Sequence, residues 1–211
     1  MRKNVLLIAA LMAVLALPAC VQQQPAPPPA PSPTPIIIRG TVDGLNGQSL
    51  VVNMRGGGKA TIALASNYVV RAVVRRPLGS IKPGDYVAST SVKGADGKLH
   101  AVEVHIFPEA SRGVGEGQRP ADLMPNSLMT NATVGKVTKT ANGGRVLTVT
   151  YNGQSSDVIV GPKVPVVTYV PGDASLLKRG KYVVIFAQKY PDGSLTSRLL
   201  NAEKNGVKPP M

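Results

Sequence analysis

One cysteine, Cys20, is all the chain holds, so no intramolecular disulfide can form. There are two histidines, His100 and His105, and no tryptophan, and aromatic residues make up only 4% of the sequence. So few stacking platforms argue against a nucleic-acid binder, although the charge alone would suit one. Acidic residues are also scarce, 11 against 24 Lys and Arg, which leaves no carboxylate pair standing out as a hydrolytic centre. Neither histidine has a neighbouring serine in a turn that would expose it, so a nucleophile held beside a base is not in view. These absences point to a protein that is not an enzyme. What remains is a basic chain, formal net charge +13, suited to anionic lipid heads or acidic envelope polymers.

The amino terminus carries an address. Arg2 and Lys3 precede an unbroken apolar run from Val5 to Leu17, too short for a permanent bilayer span of roughly 20 residues but fitted to a signal peptide. Leu17-Pro18-Ala19-Cys20 resembles the lipobox of bacterial lipoproteins. Residues 1–19 are therefore expected to be removed, and Cys20 to be joined to lipid and to hold the chain on a membrane. Val21 follows the cysteine where an aspartate would resemble the inner-membrane retention signal, which favours the outer membrane, facing the periplasm. The rest of the anchor segment, 20–35, is dominated by proline from Pro25 to Pro35, a composition that favours an extended spacer.

From Ile36 onward short Val, Ile and Thr runs alternate with Gly, Asn, Asp and Pro clusters, with no sustained helical period. The pattern occurs twice. Gly84-Asp85-Tyr86-Val87 matches Gly180-Lys181-Tyr182-Val183, and Asp96-Gly97 matches Asp192-Gly193, both 96 residues on, while Thr41-Val42 matches Thr133-Val134 at 92. Pro83-Gly84 reads as a type II turn, and the Asp-Gly pairs read as hairpin turns. The spacing predicts an all-β protein: two tandem small antiparallel barrels, OB-like or SH3-like, over 36–107 and 131–204, with a connector at 108–130 and a tail at 205–211. In each unit two strands are expected over the stretches Lys59–Leu64 and Tyr68–Val74, or Ser155–Val160 and Val164–Val170.

The frame formed by Gly40-Thr41-Val42, Leu50-Val51-Val52, Ile81-Lys82-Pro83-Gly84-Asp85-Tyr86-Val87 and Asp96 to Val104 resembles an uncharacterised bacterial family of exported proteins with tandem small OB-like barrels, in its lipoprotein branch. The resemblance covers Ile36 to Glu203 and implies a fold but no activity. Relatives in that family often carry His and Trp where this chain has Gln118 and Ala121.

Candidate chemistry gathers at the end of the first unit. Glu103 and His105 alternate onto one face of their strand, and Glu109 follows in the connector, a set that would make a metal site if the three met. His100 falls on the opposite face. Met124 and Met129 read either as soft-metal ligands or as packing. The glycines at 113, 115 and 117 lack the helix start and the Lys-Ser/Thr ending of a phosphate loop. Arg71, Arg75 and Arg76 read as a solvated basic face or as a contact for phosphate or carboxylate. The leading expectation is a membrane-anchored binding or scaffolding module for an envelope protein or anionic polymer, with no cofactor. The alternative is a periplasmic handler of a metal or small ligand that uses the connector.

Overall fold

A computed structural model of the chain describes residues 32–209. The signal peptide, Cys20 and all but the last residues of the proline-rich spacer lie outside them. What is described is all β apart from three single turns of 3-10 helix. Twelve strands run in order: β1 (Thr34–Asn46), β2 (Ser49–Met54), β3 (Lys59–Arg75), β4 (Tyr86–Lys93), β5 (Leu99–Ile106), β6 (Gly117–Pro120), β7 (Ser127–Lys139), β8 (Arg145–Tyr151), β9 (Gln154–Val160), β10 (Val166–Pro171), β11 (Tyr182–Lys189) and β12 (Leu195–Glu203).

The strands form where residues of alternating polarity leave one face to bury. In β2, Leu50 and Val52 are buried while Val51 and Asn53 are not; in β8 the buried set is Leu147, Val149 and Tyr151. The turns follow from their residues. Gly84 and Gly180 both stand at positive φ, 89° and 82°, where a side chain would be strained, and each closes its turn through a bond from the next amide. Those bonds run from the Asp85 amide to the Lys82 carbonyl, 3.2 Å, and from the Lys181 amide to the Lys178 carbonyl, 3.0 Å.

The pairing order then departs from the expected layout. β1, β2 and β3 pair in sequence, but β3 continues to β12 in parallel, β12 pairs β11, and β11 returns to β1, closing a five-stranded barrel. The second half repeats the circuit: β7, β8 and β9 in sequence, β9 to β5 in parallel, β5 to β4, and β4 to β7. Each ring therefore takes three strands from one sequence repeat and two from the other. The boundaries expected at 36–107 and 131–204 mark the repeats, but no ring closes within either range. From Ser32 onward the chain forms one compact unit.

The duplication is exact in register. Thr41 pairs with Tyr182 in one ring, and the equivalent Thr133 pairs with Tyr86 in the other. A bulge follows Val42 in β1 and the matching Val134 in β7, and another lies between Thr90 and Ser91 and between Phe186 and Ala187. The exchange follows the length of β3. The expected break near Leu64 is absent, and the strand runs 17 residues, roughly 3.3 Å for each. It delivers the chain beyond its own ring, where its end pairs with β10. In the second repeat the corresponding stretch is interrupted at Gly161-Pro162 and Pro165, giving β9 and β10, and β10 also pairs with β5 in parallel.

Each ring has its own core. Leu50, Ile62, Ile185 and Leu200 fill the first, and Leu147, Val104, Val149 and Val158 the second. Burying each such aliphatic side chain contributes about 1.5–3 kcal/mol. A third, smaller cluster of Val73, Val167 and Tyr169, with Phe107 and Val207 against it, packs where the two circuits meet.

One closure is electrostatic. Glu203, at the end of β12, accepts from Lys181 Nζ at 3.1 Å and from the Tyr182 amide at 3.2 Å. Burial pushes its carboxyl pKa up, but the bonds from the Tyr182 amide and the Lys181 ammonium outweigh burial and hold it below 4.5. A carboxyl with a depressed folded pKa contributes stability that is full above its unfolded value and is lost as pH falls through the folded one. Acid titration of unfolding should therefore show a shallower loss for Glu203→Gln than for the parent below about pH 4.5. Parallel curves would remove Glu203 as a source of that loss.

Candidate functional site

β5 places its residues on two sides. Ala101 and Val104 enter the core of the second ring, while Glu103 and His105 face the junction and are 1% and 0% exposed. Burial on that side comes from β4, β7 and β10. Thr90 Oγ1 of β4 donates to Glu103 Oε1 at 2.8 Å. The Tyr169 hydroxyl of β10 is hydrogen-bonded to His105 Nδ1. Burial first, and the Glu103 charge second, push the Tyr169 pKa up, so the phenol stays protonated and donates. A neutral His105 then carries its proton on Nε2, on the side toward Glu103 Oε1, which lies 3.8 Å away and beyond hydrogen-bond range. Glu103 Oε2 and His105 Nε2 have no hydrogen-bond partner among the described residues.

The third metal candidate does not join the other two. Glu109 turns outward to Arg112, which donates from Nε and from one terminal nitrogen at 2.5 and 2.7 Å. That exposed fork holds the Glu109 carboxyl below its ordinary range. Among the described residues no group of three or more His, Cys, Asp or Glu side chains converges. His100 lies at the hairpin, with Nε2 3.0 Å from Asp96 Oδ1. Met124 is exposed, and Met129 packs beside Thr90.

Above Tyr169 and Met129 lies a cleft of about 430 Å³ whose walls come from both rings and from the connector. That volume is in the range of small-molecule sites, and most of its wall is apolar. Phe107, Val114, Met129 and Leu199 supply much of it, with Ile37 and Phe186 exposed at its edge. Three guanidiniums line the same space. Arg39 of β1 makes a two-pronged contact with Asp122, 2.8 and 2.9 Å, tying the connector to the first ring. Arg119 of β6 donates to the Gly115 carbonyl at 2.9 Å. Arg71 of β3 has no acidic partner within 4.0 Å among the described residues.

Two amides complete the wall. Asn131 donates from Nδ2 to the Val114 carbonyl at 2.9 Å, but among the described residues neither its Oδ1 nor Asn201 Oδ1 has a partner. Both residues are buried, 4% and 1% exposed. Asn201 occupies in the second repeat the position of His105 in the first. A larger but more open depression of about 580 Å³ over Ile36–Arg39 and Met54–Gly57 has no comparable buried polar group besides Arg39.

The connector is thus part of the site. Its glycine run turns rather than cradles: Gly113, Gly115 and Gly117 all have positive φ and lead into β6, which pairs with β7. Gln118 donates to Thr130 Oγ1 at 3.0 Å, and Ala121 lines the cleft. Sequence reasoning found Glu103, His105, Met129 and Arg71. Arg119 and Asp122 lie in the connector that the sequence offers as a possible ligand site, whereas Arg39, Asn131, Tyr169 and Asn201 were missed, because in single strands they read as ordinary alternating positions. No protein-family model matches the chain, and no curated protein or solved structure matches it either.

Proposed function

We propose that the chain is a lipid-anchored, non-catalytic binding module of the bacterial envelope, and that its binding site is the cleft between the rings. The lipobox-like Leu17 to Cys20 and the proline spacer support the anchored placement, on the outer membrane facing the periplasm. The strand circuit first-second-third-fifth-fourth and back to first, with a parallel third-to-fifth pairing, supports an OB-like reading of each ring. It supports a tandem pair of OB-like barrels with exchanged strands, in keeping with the family the sequence resembles. The single observation that carries the binding role is the cleft itself: two buried amide oxygens without a partner among the described residues, and three partly exposed or exposed arginines, set in a mostly apolar wall.

The connector closes over this space, which favours a small ligand held inside over a polymer held on the outer surface. A partner-protein reading keeps one support, the apolar residues Ile37, Phe186 and Val114 exposed near the cleft. Catalysis has little to work with, since His105 is sealed between Tyr169 and Glu103 with no serine or cysteine bonded to it among the described residues.

Native mass spectrometry of a soluble form from Val21 to Met211, purified from a bacterial periplasm, tests the reading. The expected result is one small-molecule mass per chain, reduced when Asn201→Leu fills the wall. A bare chain, together with salt-sensitive retention on an anionic polymer, would transfer the function to the charged outer surface.

A further inference from the structure

We infer that the ligand is a small amphipathic anion, an oxyanion head on an apolar body with a hydroxyl or N–H donor near the head, and that Arg71 receives its charge. This deepens the binding-module reading and rests on it.

The charges in the cleft do not balance among the described residues. Three guanidiniums meet one carboxylate, and that carboxylate, Asp122, is already taken by Arg39. Arg119 spends one nitrogen on a backbone carbonyl. Arg71 is left, half-buried on β3 opposite Asn201, with no carboxylate within 4.0 Å among the described residues. A planar fork of donors in a partly apolar space suits a carboxylate or a phosphate ester, which it can meet through two parallel bonds.

The rest of the wall narrows the class. Asn131 Oδ1 and Asn201 Oδ1 are acceptors without donors, so a ligand carrying only an anion would leave them unused. Phe107, Val114, Met129 and Leu199 offer apolar surface that a sugar or an inorganic ion would not cover. Cationic ligands meet three guanidiniums, and a metal ion meets no ligand set. A medium-length hydroxycarboxylate satisfies the guanidinium, the amides and the apolar wall together.

Isothermal titration calorimetry on the chain from Val21 uses four probes: 3-hydroxydecanoate below its micelle-forming concentration, 1,3-decanediol as its uncharged counterpart, decyl phosphate and inorganic phosphate. One site per chain is expected for 3-hydroxydecanoate, with the diol about ten- to hundredfold weaker, the range of a charged hydrogen bond. Decyl phosphate against 3-hydroxydecanoate then says which oxyanion the fork prefers, and inorganic phosphate alone should not bind. Arg71→Gln should cost about the same factor, Arg71→Lys should recover part of it, and Arg75→Gln, on the exposed end of β3, should cost nothing. Equal binding of diol and carboxylate, or unchanged binding in Arg71→Gln with an unchanged melting temperature, would overturn the assignment. A neutral molecule copurifying one to one would end the anion inference while leaving the binding module intact. No copurifying molecule and no binding of any probe would end both.

Discussion

A single cut in the connector should leave the molecule whole. With a protease site placed at Gly113, in an exposed turn where an added side chain would meet nothing within 4 Å, cleavage should yield two pieces that migrate as one body. The reason is the pairing. The first piece holds β1 to β5 and the second β6 to β12, yet β1 is paired with β11, β3 with β12 and β10, β4 with β7, and β5 with β9 and β10. Parting the pieces opens both rings, exposes both cores and strands the edges of β1, β3, β4 and β5. The pieces should separate only in denaturant. On its removal neither alone should regain the native circular dichroism spectrum, whereas an equimolar mixture should. Before cutting, urea should unfold the chain in one transition that Leu50→Ala and Leu147→Ala, one in each core, shift alike. Two half-size bodies in native buffer, or two transitions each sensitive to one substitution, would mean that each repeat closes on itself.

That outcome bears on how the fold is written. Strand positions were legible because turns and alternation are local: Leu50 and Val52, and Leu147, Val149 and Tyr151, alternate inward, and Gly84 and Gly180 turn the chain as their neighbours require. The repeat was legible too, since it only asks that two stretches match. Ring membership was not, and the duplication itself is the cause. The two copies present nearly the same edges, so β1 finds in β11 the alternation it would find in β4. Thr41 on Tyr182 and Thr133 on Tyr86 are the same contact made across the repeats. The choice falls to the length of β3, and nothing in the residues Ala65 to Tyr68 forces a break or a continuation.

The candidate site divides along the same line. Glu103 and His105 share a face by alternation alone. Tyr169 reaches His105 only because β10 lies beside β5, a pairing between residues 64 apart in sequence. Arg39 and Arg71 sit on two strands of the first ring and Arg119 on β6, which pairs with β7 of the second, so their convergence depends on the exchange and is invisible in any one strand.

Replacing His105 should be costly and replacing it together with Glu103 much less so. His105→Ala opens a cavity between Tyr169 and Glu103 and deprives the buried phenol of its acceptor, while the carboxyl keeps only Thr90. Removing one member of a buried polar pair while the other remains costs on the order of 3 kcal/mol, because the remaining group keeps its desolvation penalty. For a unit of this size that is a fall in melting temperature of about 6–12 °C. Tyr169→Phe removes one hydroxyl and leaves Nδ1 without its donor, and about 1–2 kcal/mol is expected. The double variant Glu103→Leu with His105→Leu removes both buried polar ends at similar volume. It should lie well above the sum of the single losses, a favourable coupling of at least about 1 kcal/mol in a double-mutant cycle read by urea unfolding. Additive losses would mean that the two side chains pack as independent neighbours across their 3.8 Å gap. Coupled losses would identify them as one buried polar unit under the cleft floor, reaching the ligand space through Tyr169, which lines both.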